Sequence, residues 1–457
     1  MKTTFEYVIG IIGHPTTPDV SWSDPQLMAM QHAGFNTLQL SIAWSWRPAG
    51  EVLNLENLDD PSHMTEWRRR VAQAEKFGFR TLAHFGLPVG PQLDATTCIL
   101  DPEVREGYAR RLRDFFREFP SVTDIMVYTY DQLAWLCSEF GDCPRCKGIP
   151  LHDRLPGFLA ELNSAAQVAR PGVRFWWEPW ELSEGQILAI LDRLDTPHFG
   201  LILHNTIAEV QFVNQTDLSF RNIARAAKRR GIPVVGEGFF GGSGEDIAPL
   251  THLACPRLVH QQLHALRQAE GVVGIKEYYG MVPAHFSVNV AMLKQYLRNP
   301  DWPVEELLSE IAADYGDQAS APLLQAWEWI ATAMETFPWN ASWALRRIFE
   351  KPLSEEWQEV PGASWMTPAW QANRRGFYMV TDLADQHPWL KEDVGLRAVK
   401  AAELFEEAAK HLAEAEKVTT RPEDVRQQRL DVALAAQSAR HFGEQLLSHR
   451  AARSRDH

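Results

Sequence analysis

SFRNIARAAKRRGIPVVGEG, Ser219 to Gly238, contains a complete helix-to-strand step. Its first half carries apolar residues at helical spacing (Phe220, Ile223, Ala227) among arginines and lysines, the pattern of a helix with one face in a core. Gly231 follows where a helix end needs a residue able to take positive φ. The chain then turns at once into a short apolar run that ends in a carboxylate, Glu237. The same junction recurs as HAGFNTLQL around Gly34 and KFGFRTLAHF around Gly78.

Eight apolar runs of this kind occupy residues 1–280: Tyr7–His14, Thr37–Trp44, Thr81–Pro88, Ile125–Asp131, Arg174–Trp180, Gly200–Asn205, Pro233–Gly238 and Val272–Tyr279. Helical patterns separate them. Near-continuous apolar strands alternating with amphipathic helices indicate βα units and a parallel sheet covered on both faces. Eight units predict an α/β fold, a closed (β/α)8 TIM barrel over residues 1–300. An open doubly wound sheet is the alternative, but no GxGxxG or GxxxxGK[ST] follows the first strand. Beyond Asn299 helical stretches continue without strands (Pro303–Tyr315, Pro322–Met334, Trp370–Leu383, Leu396–Val418, Pro422–Leu447), with a Pro/Trp/Gly-rich linker at Lys351–Pro368. Residues 301–457 are therefore expected to form a C-terminal α-helical domain.

The chain has 457 residues, 45% hydrophobic and 23% charged, with a net charge of -14 and no basic block longer than Arg68–Arg70. Nucleic acid is an unlikely partner on this balance, since affinity for phosphate backbones comes from clustered cations. No window approaches the ~20 apolar residues of a membrane span. The N-terminal apolar run is too short for a signal sequence, so a cytoplasmic location is expected. Oligomeric state is left open.

In a barrel of this kind the active site lies at the C-terminal ends of the strands. Among the residues ending the eight runs, or just after them, are His14, Ser41, Trp44, Trp46, Arg47, His84, Tyr128, Tyr130, Asp131, Glu178, Trp180, His204, Asn205, Glu237, Glu277, Tyr278 and Tyr279. Carboxylates and aromatics dominate. Glycosidic cleavage needs two carboxyl groups, one to protonate the leaving oxygen and one to attack or activate water. Asp131 and Glu237 are the first candidates, with Glu178, Glu277 and His14 as further catalytic candidates. Each has a structural alternative: Asp131 as a helix N-cap, Glu237 in a salt bridge with Lys276, Glu178 and Glu277 as satisfied rim groups, and His14 as a hydrogen-bonded core residue. Trp44, Trp46, Arg47, His84, Tyr130, Trp180, Asn205, Tyr278 and Tyr279 are candidates for holding sugar rings and hydroxyls. No redox cofactor is expected. A glycan-binding barrel without activity, and a lyase or isomerase using His14 or His84 as base, are the alternatives.

Of five cysteines, three fall in one loop as Cys137-x5-Cys143-x2-Cys146, and CPRC has the spacing of a zinc knuckle. Cys98, after strand three, is the fourth candidate ligand and His152 the reserve. The alternatives are a structural zinc site or a set of buried thiols.

A cysteine after strand three paired with a cysteine cluster after strand four resembles the zinc site of family 42 β-galactosidases. That family carries its acid/base and nucleophile on strands four and seven. The resemblance runs from Cys98 to Gly148 and includes the strand-seven glutamate. It implies a glycoside hydrolase with Glu237 as nucleophile and Asp131 or Gln132 at the acid/base position. The pattern departs at that point. Retaining enzymes of this type show Asn-Glu and hexosaminidase-like barrels Asp-Glu, whereas this chain has Asp131-Gln132. An amide cannot donate the proton, so either Asp131 or a residue of another strand is the acid. Certain inverting barrel sialidases use an Asp on strand one and a His on strand four; here the types are exchanged, His14 and Asp131. With no strand-end arginine cluster beyond Arg47 for a sialic carboxylate, sialidase activity is not expected.

Overall fold

The computed structural model describes residues 5–13, 22–40, 61–87, 98–129, 142–179, 182, 184–194, 197–204, 216, 218–240, 253–277, 280–281, 288–338 and 388–453. Eight parallel strands close into a barrel in chain order: β1 (Tyr7–Ile11), β2 (Thr37–Gln39), β3 (Arg80–Leu87), β4 (Asp124–Thr129), β5 (Arg174–Glu178), β6 (Phe199–His204), β7 (Val234–Gly238) and β8 (Val272–Glu277). All eight expected strands are present. The outer ring is α1 (Asp24–Ala33), α2 (Pro61–Lys76), α3 (Pro102–Glu118), α4 (Leu151–Ala169), α5 (Glu184–Leu191), α6 (Leu218–Arg229), α7 (Pro256–Gln268) and α8 (Val288–Arg298).

The repeated junction behaves as the sequence requires. Gly34, Gly78 and Gly231 take φ of 102°, 72° and 73°, a region that a side chain would strain. Helix starts are fixed as locally: Ser23 and Gln26 form a capping box on α1, and Asp101 accepts the Glu103 N–H at the start of α3.

Because side chains alternate along a strand, each contributes one set to the barrel interior and one to the helix layer. The interior is filled by Tyr7, Ile9, Leu82, Met126, Trp176, Ile202 and Val235, a cluster separate from the larger core beneath the helices. The Trp176 ring lies against Gly200, where a Cβ would collide with it. The barrel centre is thus packed shut, and only its C-terminal mouth is left for chemistry.

Beyond residue 300 come α9 (Val304–Ala313), α10 (Asp317–Thr336), α11 (Pro388–Glu416) and α12 (Pro422–Arg453). α11 and α12 approach each other closely at Gly395 and Gly443, where a Cβ on either would meet the backbone of the other. The buried Trp327 indole of α10 donates to Gln428 on α12 at 3.0 Å. Arg257 of α7 ties this bundle to the barrel through Glu328 (3.0 Å) and Glu335 (2.8 Å). α10 begins five residues before the expected start at Pro322, which lies inside the helix, and α11 begins eight before Leu396. Reading Pro322 as a first-turn residue follows the usual preference; here Gly316, with φ of 96°, precedes the true start. The Trp370–Leu383 stretch and the linker lie outside the described residues. Among the described residues, no helix is long and apolar enough to cross a membrane.

Candidate active site

Two residues beyond Trp176, Ile202 and Val235 on their strands stand Glu178, His204 and Glu237, on the same inward face and at the C-terminal ends of β5, β6 and β7. Strand register puts His204 opposite Glu237, and Glu237 opposite Lys276 of β8. The four side chains meet at the mouth. His204 Nε2 lies 3.1 Å from Glu237 Oε2 and 3.4 Å from Glu178 Oε1. Lys276 Nζ donates to Glu237 Oε1 and lies 3.4 Å from the Glu277 carbonyl oxygen. Carboxyl oxygens of Glu178 and Glu237 lie within 4.8 Å of each other, close enough for each to act on the other's titration.

Glu178, Glu237 and Lys276 are almost wholly buried, and the His204 side chain is 12% exposed. Burial disfavours charge and so pushes each titration in a definite direction. It pushes Glu237 up to about 7, assisted by the charge of Glu178 and opposed by Lys276 and His204. Burial raises Glu178 as well, against the pull of Lys276 and the close approach of Glu237. The same desolvation lowers His204 to about 4 and His84, deeper on β3, to about 3. Both imidazoles are therefore neutral at neutral pH, and among the described residues of the mouth the charged groups are two carboxyls and one ammonium. Two carboxyls that cannot both ionise freely share a proton and titrate as a pair.

The donor atoms of Glu178, His204 and Glu237 lie within 4.8 Å of one another, a spacing a cation could bridge. A cation is already there in the Lys276 ammonium.

Glu277 faces elsewhere: it is fully buried, and its Oε2 accepts the Phe240 N–H at 2.7 Å. It thus braces the segment leaving β7. The His84 ring is tilted at 45° to that of Tyr128, with centroids 5.4 Å apart, and Tyr128 is likewise buried at the inner end of the mouth. His14, Ser41, Trp44, Trp46, Arg47, Tyr130, Asp131, Cys137, Trp180, Asn205, Tyr278 and Tyr279 lie outside the described residues. Lys276 entered the sequence reading only as an alternative partner for Glu237. Which of Lys276 and Glu277 points inward depends on a register irregularity at Val234/Val235 opposite β8, which no residue pattern announces.

At the adjoining part of the rim the Cys98, Cys143 and Cys146 sulfurs lie within 4.8 Å of one another. Cys98 and Cys146 are buried and Cys143 half-buried. Arg145 pairs with Asp101 at 3.1 Å, joining the same two loops. Three soft sulfur ligands at this separation fit a tetrahedral zinc ion with Zn–S bonds of about 2.3 Å.

No family model matches the chain. No curated protein matches it either. Among solved structures, the chain is similar to the catalytic domain of a β-amylase from Paenibacillus polymyxa, with 10% identity and a TM-score of 0.42, covering 65% of this chain and 99% of that one. It is similar to CpGH84B, with 9% identity and a TM-score of 0.49, covering 98% and 74%. It is also similar to the exo-β-1,4-mannosidase Op5Man5 from Opitutaceae bacterium strain TAV5, with 14% identity and a TM-score of 0.43, covering 68% and 63%. Likeness at this level says nothing about the reaction, and the chemistry is argued from the side chains.

Proposed function

We propose that the chain is a glycoside hydrolase acting on a carbohydrate or glycoconjugate, with Glu178 and Glu237 working as one proton-handling unit at the barrel mouth. The observation that carries this reading is the buried, closely spaced carboxyl pair at the C-terminal ends of β5 and β7, with Glu237 pushed up to about 7. A proton held that weakly near neutral pH can be given and taken back, which is what general acid–base work requires.

The closeness of the two carboxyls also limits their roles. Opposed catalytic carboxyls of glycosidases stand about 5–5.5 Å apart in retaining enzymes and about 6.5–9.5 Å in inverting ones. Carboxyl oxygens within 4.8 Å of each other are closer than either, so Glu178 and Glu237 belong on one side of the scissile bond. One oxygen of Glu237 accepts from Lys276, and the other lies 3.1 Å from His204 Nε2. That favours the pair as a general base that takes a proton from water. Asp131 is our candidate for the acid on the other side, a role resting on its place after β4 in the sequence.

The test is release of new reducing ends from a panel of aryl glycosides and polysaccharides. Wild type is expected to give product, and Glu237→Gln to give about 10²–10⁴-fold less while retaining sugar binding. Unchanged activity would remove Glu237 from the mechanism. A second reading, a barrel that only binds glycans, has in its favour the Lys276–Glu237 ion pair and Gln132; binding by wild type without product on prolonged incubation would establish it.

We further infer that Cys98, Cys143 and Cys146, with Cys137, hold a structural zinc ion that pins the loops after β3 and β4. Metal analysis of the purified chain should find one zinc, lost in Cys146→Ala. A zinc-free wild-type chain would leave the cysteines as buried thiols.

A further inference from the structure

We propose that Lys276 is the positioning residue of the carboxyl pair: its ammonium, fixed on one oxygen of Glu237, sets the number of protons the pair holds at one rather than two. This rests on the proposed role of Glu178 and Glu237, and it assigns to Lys276 a task beyond that of a structural strut.

Among the described residues, the groups facing the pair come from four strands: His84 on β3, Tyr128 on β4, His204 on β6, and Lys276 with the Glu277 carbonyl on β8, around Glu178 on β5 and Glu237 on β7. Burial keeps both imidazoles neutral at neutral pH. Among the described residues, the charge around the pair is then set by two carboxyls and one ammonium. With two carboxyl protons the cluster is net positive; with none it is net negative; with one it is neutral. A buried site strongly favours the neutral count. One proton is therefore the resting number, and the pair has room to accept another from water. Without the ammonium, neutrality would require both carboxyls to be protonated, and the pair could accept nothing. The ammonium acts directly on Glu237, through a hydrogen bond as well as its charge, and on Glu178 through charge alone.

The count can be read in the intact protein, without any sugar, from glutamate side-chain carboxyl carbons labelled with 13C and assigned with Glu178→Gln and Glu237→Gln. At neutral pH, Lys276→Met should show one more protonated glutamate carboxyl than wild type, and Lys276→Arg should restore the wild-type number. An unchanged count in a folded Lys276→Met would overturn the proposal and leave the lysine as a strut. If Lys276→Met does not fold, Glu178→Gln supplies the same test, since one carboxylate facing one ammonium is neutral with no proton. Glu237 should then titrate well below the wild-type value of about 7. A Glu237 titration that stays put in that variant would equally overturn the proposal. Because no substrate is involved, these outcomes are distinct from success or failure of the hydrolase reading.

Discussion

The two ends of the barrel interior each bury carboxyl groups, and they treat them in opposite ways. At the N-terminal end Asp124 accepts the Trp176 indole N–H at 2.7 Å, with Arg80 and Arg174 both acting on it through their charge. Burial raises its pKa, but two hydrogen bonds and two cations serve a single carboxyl. At the C-terminal end two carboxyls share one ammonium. The strands and the burial are the same, and what differs is the ratio of cations to carboxylates. An excess of cations and donors holds a structural carboxyl group in place, while a shortage leaves a proton that can move.

Exchanging chemistry for stability at the two ends is the hardest way to break this contrast. Glu237→Gln should lower turnover by about 10²–10⁴-fold, the usual range for a lost general acid or base, with the fold intact by circular dichroism. Asp124→Ala should do the reverse. It should cost about 1–3 kcal/mol in urea unfolding, because it leaves the buried Trp176 N–H unpaired, while turnover per folded molecule stays unchanged. Equal losses of activity in both variants would dissolve the distinction.

The pH dependence of stability should sharpen it. Glu237 has a folded pKa raised from 4.5 to about 7. Its contribution is fully present below 4.5 and is lost as pH rises through about 7, since the folded chain binds more protons than the unfolded one across that window. Relative to Glu237→Gln, wild type should lose on the order of 3 kcal/mol between pH 4.5 and 7. His84 and His204, lowered from 6.5 to about 3 and about 4, act with the opposite sign, losing stability as pH falls. Both variants retain them, so their effect largely cancels in the comparison. A flat difference between the two melting curves across this range would argue against the shared proton.

The smallest effect belongs to the N-terminal end. Arg80 lies 4.7 Å over the Tyr7 ring and is partly exposed. Arg80→Met should cost about 0.5–1 kcal/mol, seen as a small shift in the urea midpoint, with no change in activity.

Much of the barrel was legible because its signals are local. Gly34, Gly78 and Gly231 mark the junctions, and each apolar run is short enough to be a strand and nothing else. The run ends also pointed to Glu178, His204 and Glu237, since the strand that ends in a polar residue presents it at the rim. The pairing between strands was not legible. That Glu178 and Glu237, from strands two apart in the ring, would come within 4.8 Å of each other through the space before His204 is a matter of side-chain length and barrel radius. The β8 register decided that Lys276, and not Glu277, joins them. Cys98 beside Cys143 and Cys146 could be expected because neighbouring strands carry neighbouring loops, and sulfur spacing carries its own chemistry. The starts of α10 and α11 were missed because a proline and a run of polar residues carried less weight than packing in the bundle.

The most direct test of the central claim, that Glu178 and Glu237 act as one unit, is a double-mutant cycle on turnover with Glu178→Gln, Glu237→Gln and both together. A single unit loses its function once, so the double variant should be no slower than the worse of the single ones. Losses that multiply in the double variant, or a single variant that keeps full activity, would show two independent groups and contradict the claim.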